Sequence, residues 1–185
     1  MTLRLTDLTP HERQHLETCV HEAGHAVAAA LLGGRIHTAA VADSRVWGVT
    51  GKTVHDDVPD GSWASTVYAG PWAQARWRAG KRPTQREIYD VLATAAQHDD
   101  RALLASGGTQ AVDQRLTGLL TRCWPGVVRV AQKLHRDGEA THADVCAALG
   151  ITDGGGPGSV QLANIRAGLR DVPPVEPRRK RKHIA

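Results

Sequence analysis

Between residues 10 and 32 the apolar positions Leu16, Val20, Ala23, Val27, Ala30 and Leu31 recur at helical spacing and group on one side of a helix. Thr9-Pro10-His11-Glu12 reads as its start. Thr9 caps, Pro10 suits the first helical position, and Glu12 completes a capping box. Gly33 and Gly34 stop the helix. RIHTAAVA and RVWGVTGKTV, with Asp43-Ser44 between them, then predict a short β-hairpin. Asp60-Gly61-Ser62 opens a second helix, SWASTVYAGPWAQARWRAG, which Pro71 should kink or divide. Thr84-Gln85-Arg86-Glu87 is another capping box and predicts a helix to about Gln97. HDDRALLASGG reads as a short helix ended by Gly107 and Gly108, and residues 110–137 as a long helical stretch bent at Pro125. Thr141 to Asp144 supplies a last capping signal for THADVCAALG. DGGGPG, residues 153–158, reads as a flexible loop or linker, and SVQLANIRAGL as a small closing helix. The predicted fold class is mainly α, with one small β-hairpin. The predicted organisation is one domain over residues 1–150, a Gly-rich linker and short helix over 151–170, and a disordered basic tail over 171–185.

Composition narrows this only a little. Hydrophobic residues at 41% and charged residues at 23% place the chain among ordinary globular domains. With no Phe and five Trp, the core must come from Leu, Val, Ala and a few indoles. No apolar run approaches the roughly 20 residues of a membrane span, and MTLRLTDLTPHERQ is too polar for a secretory signal. Cys19, Cys123 and Cys146 are far apart, odd in number and show no CxxC pairing. A cytoplasmic protein with idle thiols, without membrane partners, is the expectation. The formal charge is +4, and Arg178, Arg179, Lys180, Arg181 and Lys182 account for it, leaving the remainder near neutral. That run reads first as a solvated terminus. The alternative is a contact of residues 178–182 with nucleic acid or an acidic partner, without aromatic residues for base stacking.

The candidate chemistry lies in CVHEAGHA, residues 19–26. His21 and His25 are four apart, so on a helix both imidazoles share one face and can meet one tetrahedral ion. Glu22 lies about 100° round from His21, too far to be a third ligand alongside them but well placed to bond a water. HExxH chemistry needs this arrangement: two neutral imidazoles hold zinc, the zinc acidifies a water, and the carboxylate takes the proton. Ala28 and Ala29 lie near the metal face and are small, so a substrate is expected to approach there. Gly24 sits mid-helix at a cost of about 1 kcal/mol against Ala, which implies a neighbour packed against the backbone.

HEAGHA resembles the peptidase domain of FtsH-type ATP-dependent zinc proteases. Other segments are similar in the same order. AGPWAQARW, with Gly70 and Ala73, looks like that family's GGRxAEE helix, and HDDRALL looks like its NDxxxAT segment. Cys123 to Leu134 is similar to its last long helix, and DGEATHADV to its closing segment. The resemblance runs from about residue 17 to 149, and only HEAGHA is a specific match. It implies Asp99, 74 residues after His25, as the third zinc ligand. Asp100, Asp90 and His98 are the alternatives, and Asp99 also reads as a helix cap. Gln74 stands where the family commonly has Glu, and Pro71 where it has Arg. The ATPase is missing: GVTGKT, residues 48–53, has the end of a phosphate loop, but Val46 occupies the place of its first Gly, and the segment reads as a β-turn.

The resemblance therefore implies a zinc metalloendopeptidase acting on unfolded or flexible protein substrates. Zn2+ would be held by His21, His25 and Asp99, and Glu22 would be general base on a zinc-bound water. A separate ATPase is a candidate partner. The alternative is a non-catalytic zinc-binding regulatory module whose basic tail contacts nucleic acid or an acidic partner, favoured by a fourth side-chain ligand such as His98. A third reading is a metal-free helical interaction protein with Trp63, Trp72 and Trp77 as its contact surface, although Trp72, Trp77 and Trp124 read as core.

Overall fold

The computed structural model describes residues 8–44, 48–56, 58–59 and 61–175. The fold is mainly helical with a small antiparallel sheet. Helix α1 (Pro10–Leu31) starts on the Thr9–Glu12 capping box and is followed by strands β1 (Arg35–Ser44) and β2 (Gly48–Asp56). Helices α2 (Trp63–Ala79), α3 (Gln85–Thr94) and α4 (Gln97–Ala105) come next, then a 3-10 turn at Gly108–Ala111. Helices α5 (Leu116–Arg122) and α6 (Trp124–Asp137), strand β3 (Glu139–Ala140), and helices α7 (His142–Leu149) and α8 (Val160–Ala167) complete it.

Helix α1 is the hub. Helices α2 and α6 and strands β1 and β2 all pack on it. From Cys19 to Leu31 every residue but His21 is buried, which a helix achieves only when neighbours cover it all round. Ala28 and Ala29 are fully buried, so no substrate approaches there; being small, they admit neighbouring elements instead. Leu31, Trp72, Leu103, Leu116, Leu120, Leu134, Leu149, Leu162 and Ile165 are the largest buried side chains of one continuous core.

Several boundaries differ from the sequence expectation. Asp43 and Ser44 do not form the turn. They belong to β1, paired with Val49 and Gly48, and residues 45–47, which join the strands, lie outside the described residues. GVTGKT is likewise not a turn but part of β2. β3 pairs with β1, giving the order β2-β1-β3, a two-residue strand too short to leave an alternating pattern. Helix α2 runs unbroken through Pro71. The long helix expected over 110–137 is two helices. Pro125 sits in the first turn of α6, where its missing N–H costs nothing, so the break falls at Cys123 rather than at a bend. Trp72 is buried and Trp77 and Trp124 are partly buried against the core, whereas Trp63 is half exposed.

After α7, Asp153 organises the glycine-rich segment by accepting from Gly155 N, Ser159 Oγ and Gln161 N. Ile151, Leu162 and Ile165 of this region enter the common core. Val172 is buried and Arg129 donates to Pro173 O at 2.6 Å; the basic run 178–182 lies outside the described residues. No described helix is long and apolar enough to cross a membrane.

The α1–α2 crossing is close because Gly24 has no side chain. A Cβ there would lie 2.6 Å from Ala69 O and 2.7 Å from Ala73 Cβ. Gly118, inside α5, would meet nothing within 4 Å. Gly24→Ala should therefore lose about 1–3 kcal/mol through overpacking. Gly118→Ala should gain about 0.5–1 kcal/mol through helix propensity. Urea unfolding of the two variants against the parent checks both; a neutral Gly24→Ala would contradict the packing described.

Candidate metal centre

His21 and His25 lie one turn apart on α1, and both rings point across to α2. Two features make room for them. Gly70 of α2 lies against the His25 ring, which a methyl group there would overlap. Gly24 lets the two helices come close enough for the opposing side chains to bond.

The bonds fix both tautomers. His25 Nδ1 lies 2.9 Å from Thr66 O, and a backbone carbonyl only accepts, so Nδ1 carries the hydrogen. His21 Nδ1 lies 3.0 Å from Gln74 Oε1. The Gln74 amide cannot be reversed without loss, because its Nε2 donates to Glu17 Oε2 at 3.0 Å. Glu17 is itself held by Arg78, whose Nε donates to Oε2 at 3.0 Å. His21 Nδ1 therefore also carries its hydrogen. In the neutral rings both Nε2 atoms then present lone pairs, 3.0 Å apart; when the rings are protonated the same atoms donate to Asp99.

Asp99 completes the convergence. It sits in the first turn of α4, where a negative charge suits the helix dipole. It is not the cap: that position is Ala96, which bonds nothing with its side chain. Asp99 Oδ2 lies 2.8 Å from His21 Nε2, and Oδ1 lies 3.5 Å from His25 Nε2. Burial, the largest influence on Asp99, opposes its ionisation. The hydrogen bonds and charges of the two histidines outweigh it and hold the carboxyl well below the usual carboxylate range. Burial likewise disfavours the charged form of His25, but the bond and charge of Asp99, the charge of Glu22 and the Thr66 bond raise it. The cluster is built to receive positive charge. Two imidazole nitrogens and one carboxylate oxygen, with donor atoms within 4.8 Å of one another, form a set that can hold a divalent metal.

The other candidates lie apart. Asp100 shares the turn with Asp99 but does not join the donor group; Asp90 is exposed on α3; His98 is exposed at the cavity rim. Glu22 is buried beside β2. Thr53 Oγ1 donates to its Oε2 at 2.6 Å, and Gly51 leaves space that a methyl group would take from the carboxylate. His21, Glu22, His25 and Asp99, with Lys52, His55 and Trp63, line one cavity of about 690 Å³.

Sequence reasoning had singled out Gly70 but missed Glu17, Gly51, Thr53, Thr66 and Arg78 as supports. Two of them left signals. Gly51 is a glycine inside a strand, which marks close approach. Glu17 precedes His21 by one turn and so shares its face. Gln74, noted only as a departure, is what orients His21.

Residues 8–80 match the family described as Peptidase M50B-like. That segment comprises α1, the β1–β2 hairpin and α2, and so includes His21, Glu22, His25 and Gln74 but not Asp99. The match supports a metallopeptidase-type domain. No curated protein matches the chain.

Gln74→Leu removes the acceptor that fixes His21 Nδ1–H while keeping the side chain's bulk. Divalent metal affinity should fall about 10–100-fold, as for other partners that orient a ligand histidine. Competition with a chromophoric chelator measures it; unchanged affinity would show that Gln74 does not orient the ring for a metal.

Proposed function

We propose that this protein is a zinc metalloendopeptidase of the HExxH type, with a peptidase fold similar to the FtsH-type enzymes. The observation that carries this reading is the convergence of His21 Nε2, His25 Nε2 and the Asp99 carboxylate, with both Nδ1 positions already engaged as donors. Two nitrogens and one carboxylate oxygen are a donor set of catalytic rather than closed structural zinc sites, because one position of the tetrahedron stays open. Zinc bound there would polarise a scissile carbonyl and acidify water.

The chain's own residues divide the remaining work. Glu22 accepts a proton from the attacking water and delivers it to the leaving amine. Thr53 fixes one oxygen of its carboxylate, and the bare backbone at Gly51 keeps the other unobstructed. Gln74 and Thr66 hold the two imidazoles in the tautomer that ligates. β2 lies at the outer edge of the sheet and borders the cavity. An extended peptide can add to such an edge through main-chain hydrogen bonds. Only an unfolded or flexible segment can do so, which supports unfolded chains as the substrate class. Delivery of such segments by a separate ATPase, and action in the cytoplasm, belong to the same proposal. The alternative of a non-catalytic zinc module rests on a fourth side-chain ligand, and His98, its candidate, is exposed and apart from the three donors.

Metal content by mass spectrometry and cleavage of casein, an unfolded chain, test the reading together. His21→Ala and Asp99→Ala should each lose one equivalent of zinc relative to the parent. Glu22→Gln should keep it and lose about 10²–10⁴-fold in rate, the range of general-base contributions. Casein cleaved as fast by Glu22→Gln as by the parent would sink the mechanism, and a zinc content left unchanged by Asp99→Ala would place the third ligand elsewhere.

A further inference from the structure

A second donor cluster lies on α1, on another side of the helix. His15 and Cys19 are one turn apart, and His135 in the last turn of α6 reaches them across the α1–α6 seam. Their ligand atoms all lie within 4.8 Å of one another. The His15 and His135 rings meet edge to face, with centroids 5.3 Å apart. We propose that His15, Cys19 and His135 form a second metal site, for a thiophilic divalent ion such as zinc, that clamps α1 to α6.

The exposure of the three residues suits entry from the surface. Cys19 is fully buried at the floor, His15 is partly buried, and His135 is exposed at the mouth. Ligand atoms around one tetrahedral zinc lie about 3.3–3.8 Å apart. Closing on an ion therefore needs shifts of about 1 Å, within reach of the exposed His135 side chain. A thiolate with two imidazoles selects zinc, cobalt or copper over magnesium or calcium, which take oxygen ligands. Asp43 of β1, paired with His11 at 2.7 Å one turn before His15, sets a negative charge beside the mouth. The fourth position is left to solvent.

The site is separate from the His21–His25–Asp99 centre and does not depend on the function proposed above. His15 and Cys19 each precede the corresponding histidine of that centre by six residues. On a helix this is about 9 Å along the axis and about 120° round it. The two clusters also lean on different partners, α6 here and α2 with α4 there.

Sulfur ligation gives the second site a signature that the first cannot produce. Cobalt(II) titrated into metal-free, reduced protein should bind at about two equivalents per chain and develop a thiolate-to-cobalt charge-transfer absorption in the near ultraviolet. His21→Ala should keep the absorption and lose one equivalent. His135→Ala, at an exposed position that the fold tolerates, should lose the absorption and one equivalent, and Cys19→Ser should do the same. If Cys19→Ser does not fold, His135→Ala decides. No charge-transfer absorption in the parent, or its survival in His135→Ala, would overturn the site. Survival in Cys19→Ser would also do so, assigning the sulfur to Cys146, which lies beside His142.

Discussion

The close crossing of α1 and α2 is the constraint on which the site depends. The two helices run antiparallel, and their facing residues pair in steps of about one turn. Glu17 meets Arg78 and Gln74; His21 meets Gln74; Gly24 receives Ala69 and Ala73; His25 reaches Gly70 and Thr66. Each step works only because the helices touch at Gly24. A wider crossing would leave both Nδ1–H groups without partners and both rings free to turn. The mid-helix glycine, a weakness in an isolated helix, is therefore what makes the register possible.

The other elements act on that frame. α4 brings Asp99 to the open side of the two imidazoles from a helix start, where its charge is welcome. β2 closes the cavity from the sheet side and holds Glu22 through Thr53. His21, Glu22 and His25 thus come from one helix, but their orientation comes from α2 and β2, and the third donor comes from α4. Loss of α2 packing would disorder the histidines, and loss of β2 would free Glu22 while leaving the donors in place.

What the sequence made legible follows from how local each signal is. The capping boxes at Thr9, Thr84 and Thr141 need only four residues, and each one starts a helix in the structure. HExxH is local as well, and the shared face of His21 and His25 follows from helix geometry alone. Asp99 was reached only through resemblance, because nothing near it in the chain points to a histidine 74 residues earlier. The role of Gln74 was hidden for the same reason. It read as a departure from a pattern, while its bonds to His21 and Glu17 exist only once α1 and α2 are antiparallel. The GVTGKT segment misled in a different way. Its glycines read as a turn, yet Gly51 lies in strand β2, where glycine is needed because a side chain would occupy the space of Glu22.

The distribution of buried polar groups shows what this seam is kept for. Among the described residues the buried polar side chains are Glu17, Glu22, His25, Ser65, Thr66, Gln74 and Ser159. All but Ser159 lie on α1 or α2. A buried polar group left unpaired costs about 1–3 kcal/mol, and a pair of well-packed apolar side chains in its place is often no less stable. A helix seam selected for stability alone would therefore be filled with Leu and Val, as the α1–α6 side is with Val127, Val130 and Leu134. The α1–α2 seam instead carries a chain of hydrogen bonds that ends on two nitrogen lone pairs aimed at a carboxylate. Its stability is spent on orientation, and two imidazole nitrogens held toward one carboxylate form a donor set that can hold a divalent metal.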